Sequence, residues 1–140
     1  LIQLDLIASR ESLQAVNPGW RHFDSLTYSP AIKAGKMLFI SGHGAIDPLS
    51  GALQHPDDVV AQSEYSFGLL RQILQCAGGD LGNLVKTIEY IPQSALARYR
   101  EVGVVRTRLL PQPYPASTGL ICETLLKSGI EIDATAILDQ

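Results

Sequence analysis

Apolar and polar residues trade places along this chain with distinct rhythms, and each rhythm predicts an element. Ile2, Leu4 and Leu6 alternate with Gln3 and Asp5, so residues 2–7 read as a short strand. Residues 8–27, with Asn17-Pro18-Gly19 among mixed polar residues, read as loop. MLFIS at 37–41 is apolar on both parities, the mark of a strand covered on each face. SGHGAIDPLSG at 41–51 follows as a turn-rich connection. A helical stripe of Val59, Val60, Leu69, Leu70, Ile73 and Leu74 predicts a helix over 57–77, opened by Asp57 and Asp58 and stopped by Gly78-Gly79. LVKTIEYI at 84–91 is a β-branched strand, and a second helix over 95–110 stops at the proline run Pro111 to Pro115. Strands at 117–124 and 130–138 close the chain, with Lys127-Ser128-Gly129 turning between them. Strands, helix, strand, helix, strands is an α+β order: one domain, with two helices on one face of a mostly antiparallel or mixed sheet.

The last strand has the strictest alternation. Ile130, Ile132, Ala134 and Ala136 share one side, and Glu131, Asp133 and Thr135 share the other. The apolar side is expected to meet the helices. The acidic side is either a solvated sheet face or the lining of a cleft in which Glu131 holds a water or takes a proton. One strand earlier, Ser117, Gly119, Ile121 and Glu123 share a parity, and the expectation is that they join Glu131 on that face. His43 stands between glycines after the strand at 37–41; His22 and His55 stand in loops with no partner in view. Ser41-Gly42 offers backbone N–H groups, yet no Gly-Lys-Ser/Thr follows to make a phosphate loop, and Gly-x-Ser-x-Gly is absent.

Composition narrows the class. The chain has 140 residues, enough for one domain with its own core. Charged residues make up 18%, below the usual ~25%, which hints at surface shared between subunits. Net charge is −3 with acids and bases interspersed, so no basic run marks a nucleic-acid or anionic-membrane surface. No apolar stretch reaches the roughly 18 residues of a membrane span, and residues 1–10 lack the basic lead and apolar centre of a signal peptide. Cys76 and Cys122 lie far apart in no metal-type spacing, which suits a reducing cytoplasm and two buried thiols. The first residue is Leu1 rather than methionine, consistent with a chain trimmed or cut from a longer protein.

YSPAIKAGKMLFISGHGAIDPLSGAL (28–53), LQCAGGDLGNLVKTIEYI (74–91), PQPYPAS (111–117) and IEIDATAIL (130–138) together resemble the Rid (YjgF-like) reactive-intermediate deaminase family, in order and at compatible spacing. The likeness leaves residues 1–27 outside the family core. It implies a chorismate-mutase-like fold and a homotrimer with clefts between subunits. It also implies hydrolysis of enamine or imine intermediates to a keto acid and ammonia, with no metal or organic cofactor. Tyr28 matches the tyrosine that closes over the ligand. Ser41-Gly42 match the loop whose backbone meets the substrate carboxylate, and Glu131 matches the glutamate that orients the attacking water. The departure lies at Ser117, where deaminating members carry arginine directly after Pro-Ala. Arg and Lys are absent throughout 111–126. A serine supplies neither the charge nor the two-pronged geometry, a loss of roughly 2–5 kcal/mol in holding a desolvated carboxylate. Gly103 stands where asparagine is usual, and His43 where glutamine is frequent. Two readings remain open. Ser117, Thr118 and His43 form a neutral pocket for a non-standard substrate while Glu131 still activates water, or the cleft is a non-catalytic site for ligand binding or assembly. Ser117 as a nucleophile has no base spaced to activate it.

Overall fold

The computed structural model describes residues 6–139. Six strands, β1 (Leu13–Val16), β2 (Ala31–Ala34), β3 (Met37–Gly44), β4 (Leu84–Pro92), β5 (Ala116–Cys122) and β6 (Glu131–Ile137), form one sheet in the order β1-β2-β3-β6-β4-β5. Every pairing is antiparallel except that of β4 with β5. Helix α1 (Val59–Cys76) carries the chain from β3 to β4, and α2 (Tyr99–Leu109) is the crossover that a parallel β4–β5 pair requires. The α+β class and the mixed sheet with two helices agree with the sequence pattern.

Local chemistry explains most boundaries. The Asp58 carboxylate accepts from the N–H groups of Val60 and Ala61, so α1 starts at Val59. A 3-10 segment, Gln93–Arg98, precedes α2 and shortens the expected helix. Phe67, Leu70, Ile73 and Leu74 of α1 and Val102 and Val105 of α2 pack on Leu38, Ile40, Ile91, Ile132, Ala134 and Ala136 of the sheet. Burying each large side chain in that layer contributes about 1.5–3 kcal/mol.

Several expectations fail at the N-terminal end. Most of the strand expected over 2–7 lies outside the described residues, and Leu6 and Ile7 are exposed and outside any strand. Residues 8–27 contain β1 and a 3-10 turn at Arg21–Ser25 rather than loop alone. The strand at 37–41 runs on to Gly44 and pairs with β2, which the pattern did not reveal. Cys76 is exposed and Cys122 half-buried, so neither is a core thiol. The largest correction concerns β5 and β6: β4 lies between them, and they are not neighbours.

Candidate functional site

The site begins at an irregularity in β3. Ile40 pairs with Ala134 and His43 with Ile132, so three steps on β3 span two on β6. Ser41-Gly42 therefore bulge opposite Asp133. A Cβ on Gly42 would land on the Glu131 carboxylate and 2.7 Å from Asp133 Oδ1, so any larger residue there would push both carboxylates out of their present positions. Ser41 is fully engaged in holding this passage: its hydroxyl donates to Ser29 O at 2.7 Å and its N–H to Pro30 O at 3.0 Å.

The bulge also turns His43. Without it, His43 would share the open face with the acids; with it, the ring joins Leu38 and Ile40 on the helix-covered face. The imidazole is buried against Trp20 (edge-on, 5.6 Å between centroids) and Phe23 (5.8 Å). Its Nε2 lies 3.2 Å from Pro30 O, an acceptor, so Nε2 carries the hydrogen. Burial lowers its pKa to about 4, against a smaller raising effect of that bond, so His43 is a neutral structural ring at physiological pH.

Glu131 and Asp133 stand half-buried on the open face of β6. Burial, and secondarily the Asp133 charge, push the Glu131 carboxyl above the usual carboxylate range. Burial also raises Asp133, partly countered by the Tyr90 hydroxyl, which donates to Asp133 Oδ2 at 3.2 Å. Glu131 lines a cavity of about 220 Å3 together with His22, Phe23, Tyr28, Gly42 and His43. Tyr28 is exposed and its ring meets Phe23 edge-on at 5.7 Å. Tyr28, Gly42, His43 and Glu131 are thus brought together, and a basic carboxylate faces a small, partly apolar hollow.

Ser117 and Thr118 are not part of it. Ser117 pairs with Thr87 and Gly119 with Glu89, so this parity of β5 faces the helices, opposite Glu131. Thr118 does share the open face, where Lys86 Nζ donates to its hydroxyl. It sits on the far strand, however, and β4 separates it from β6. Three strand spacings, roughly 14 Å, separate β5 from His43. Within one chain, Ser117 and Thr118 therefore do not reach His43, and the pocket expected of the three would need a second copy. The reason is topological: parity was read as though β5 and β6 formed a hairpin, whereas the α2 crossover places β5 beyond β4.

Ser117 instead lines a second cavity, of about 540 Å3, with Thr87, Arg100, Gly103, Arg106 and Tyr114. Beneath it Glu89 is fully buried. Arg106 Nη1 donates to Glu89 Oε1 and Oε2 at 2.7 and 2.8 Å, and Tyr99 OH donates to Oε2 at 2.8 Å. Burial pulls the guanidinium pKa down, but Glu89 outweighs it and holds Arg106 above the ordinary value. Sequence reasoning passed over this group although a signal was present. In LVKTIEYI, Glu89 shares parity with Thr87 and Ile91, and a carboxylate on a core parity requires a cation from elsewhere. Among the described residues no three His, Cys, Asp or Glu converge as metal ligands. No helix among them is long and apolar enough to cross a membrane.

The model of the family described as Endoribonuclease L-PSP matches residues 23–138. The RutC family protein y4sK of Sinorhizobium fredii is 35% identical over 112 residues, 79% of this chain and 86% of its own. A 2-iminobutanoate/2-iminopropanoate deaminase of Capra hircus is 30% identical over 111 residues, 79% of each chain. The crystal structure of RidA from an Antarctic Psychrobacter matches with a TM-score of 0.74 at 30% identity, over 81% of this chain and 90% of that one.

Proposed function

The chain belongs to the Endoribonuclease L-PSP family, the Rid (YjgF-like) group, and on that premise we propose that it hydrolyses an imine or enamine of a small metabolite. The observation that carries this reading is Glu131: a carboxylate of raised basicity, pressed against the bare backbone of Gly42 beside an accessible hollow. In the reaction Glu131 takes a proton from water as the water oxygen bonds to the imine carbon and the C=N π pair moves to nitrogen. Protonation of that nitrogen and collapse of the carbinolamine release ammonia and leave a carbonyl. A base whose pKa lies nearer to neutrality also returns the proton readily, which both halves of this cycle need. Tyr28 lies at the exposed rim of the hollow and closes over the substrate.

The substrate in this proposal differs from that of the arginine-bearing deaminases, because Ser117 stands where they hold a carboxylate. The working unit is a homotrimer in which the Ser117 side of one copy meets the Glu131 side of the next. Two features support it: β5 is an edge strand with Leu120 and Ile121 exposed by 45% and 62%, and the open sheet face has neither helix on it. Both are surfaces that a neighbouring copy would cover.

Ammonia release from imines generated in situ, by an amino-acid oxidase from amino acids and by an amine oxidase from simple amines, tests the reading. 2-Imino acids and 2-aminoacrylate should show little acceleration, while imines without the α-carboxylate should be hydrolysed. Glu131→Gln should lower that rate by about 10²–10⁴-fold. Rapid turnover of 2-aminoacrylate would overturn the weight given to the missing arginine. No acceleration of any imine would leave the chain a binding or assembly protein. A monomer in solution mass measurements would remove the intersubunit site.

A further inference from the structure

The hollow beside Glu131 has aromatic rings in its wall and a carboxylate in its lining, a pairing suited to positive charge. We propose that it recognises a small organic cation, and that the substrate is the iminium form of an imine made from an amine, held between the Glu131 carboxylate and the rings of Phe23 and Tyr28. The chemical part of this inference rests on the hydrolase reading; the cation site is tested by binding alone.

Phe23 stands at the centre of the aromatic wall. Its ring meets that of Tyr28 at 5.7 Å and 87°, and that of His22 at 6.0 Å and 81°. Rings set at right angles make corners rather than a flat stack, so a compact cation lodged there lies close to more than one of them. The wall is fixed from behind. Phe23 packs on the buried rings of Trp20, at 5.8 Å, and His43. Gly51, at φ +71°, lets its loop pass close to His22, whose Cε1 would lie 3.3 Å from a Cβ at that position. A ligand thus meets rings that are already in place.

The charge beside the rings is negative. Glu131 lines the hollow, and Asp133 approaches the same bare backbone of Gly42. Among the described residues neither carboxylate has an ion-pair partner, and the Tyr90 hydroxyl that donates to Asp133 is neutral. Lys127 also lines the hollow, but it is exposed, and its long side chain can turn to solvent. A bound cation supplies what the two half-buried carboxylates lack, whereas an α-carboxylate on the ligand would meet like charge and the negative faces of the rings.

The chemistry balances with one positive charge throughout. The water oxygen bonds to the iminium carbon as the π pair moves to nitrogen, and Glu131 takes a water proton. The carbinolamine nitrogen takes that proton, the C–N bond breaks with its pair on nitrogen, and the hydroxyl proton follows. A carbonyl and an ammonium ion leave. Substrate and product are both cations, and a hollow of about 220 Å3 limits them to small ones.

Titration calorimetry of the full chain at pH 8, above the range in which imidazoles ordinarily charge, tests this with three probes of one shape. Choline is the cation, 3,3-dimethylbutan-1-ol its neutral isostere and 3,3-dimethylbutanoate the anion. Choline should bind at least tenfold tighter than the alcohol, with the anion weakest. Glu131→Gln should weaken choline by about tenfold and leave the alcohol unchanged. Tyr28→Leu should weaken choline by about two- to tenfold, while Tyr28→Phe keeps the ring and the affinity. Lys127→Gln removes a competing cation and should tighten choline about twofold. Thermal melts confirm that each variant is folded. The proposal is overturned if choline fails to bind, if the alcohol binds as tightly, or if folded Glu131→Gln and Tyr28→Leu bind choline like the native chain. Selective choline binding in a chain that hydrolyses no imine would keep the cation site and remove the hydrolase reading. Hydrolysis of amine-derived imines without choline binding would keep that reading and remove the cation site.

Discussion

The two cavities hold charge in opposite ways. Over Glu89, a fully buried carboxylate receives two short bonds from Arg106 and one from Tyr99, so attraction and hydrogen bonding offset its desolvation. Around Glu131, two like charges share a half-buried strand face, and the Tyr90 hydroxyl aimed at it serves Asp133. The first arrangement supports the fold. The second works against it, and a fold keeps such a strained pair where chemistry uses its basicity.

The largest effect expected from this contrast is on stability. Arg106→Met would leave Glu89 charged and unpaired in the core, a loss of about 3–5 kcal/mol in urea unfolding. Glu131→Gln should instead raise stability at neutral pH. The folded-state pKa of Glu131 is above its unfolded value, so its ionised form disfavours folding once pH exceeds the ordinary carboxylate range, and Gln lacks that penalty. Equal losses for both variants would erase the distinction between the two cavities.

The next effect is a pH dependence that runs against the acids. His43 has a folded pKa of about 4, below the ordinary value, so the unfolded chain binds its proton first as pH falls. Its contribution is complete above about pH 6.5 and is lost on acidification toward pH 4, a change of order 3 kcal/mol. The raised Glu131 and Asp133 act in the opposite sense, since the folded state gains stability as they protonate. His43→Gln retains a donor for Pro30 O and removes the acid-labile group. The urea midpoint of the native chain should be clearly lower at pH 4.5 than at pH 7, and this gap should close or reverse in the variant. An unchanged slope would mean that His43 is protonated in the folded state.

How much of this could be read from the chain follows from the range of each interaction. Helix α1 was legible because its signals are local: Asp58 caps it and Gly78-Gly79 ends it. The two sides of β6 were legible because one side packs on helices, leaving Ile132, Ala134 and Ala136 buried and Glu131 and Asp133 half-buried. LQAV and AIKA, four residues each and near an edge, carry too little pattern to announce β1 and β2. His43 was misplaced because one extra residue in the bulge reverses the parity beyond it. Ser117 was assigned to the wrong face because strand order is a non-local choice made by the α2 crossover, and no residue near Ser117 encodes it. The Arg106–Glu89 pair joins residues 17 positions apart and became visible only when both reached the same side of the sheet.

The smallest effect separates the two causes that raise Glu131. Burial is the larger and the Asp133 charge the smaller, so Asp133→Asn should lower the Glu131 pKa without restoring the ordinary value. Asn keeps an oxygen for the Tyr90 hydroxyl, so the strand face should hold its shape. The Glu131 carboxyl carbon resonance, followed by NMR across pH, reads this directly and needs no substrate. If activity is found, the acid limb of its pH–rate profile should move down in step with that titration. A Glu131 titration unmoved by Asp133→Asn would mean that burial alone raises it. The contrast between the cavities would then be one of solvation, not of like charges forced together.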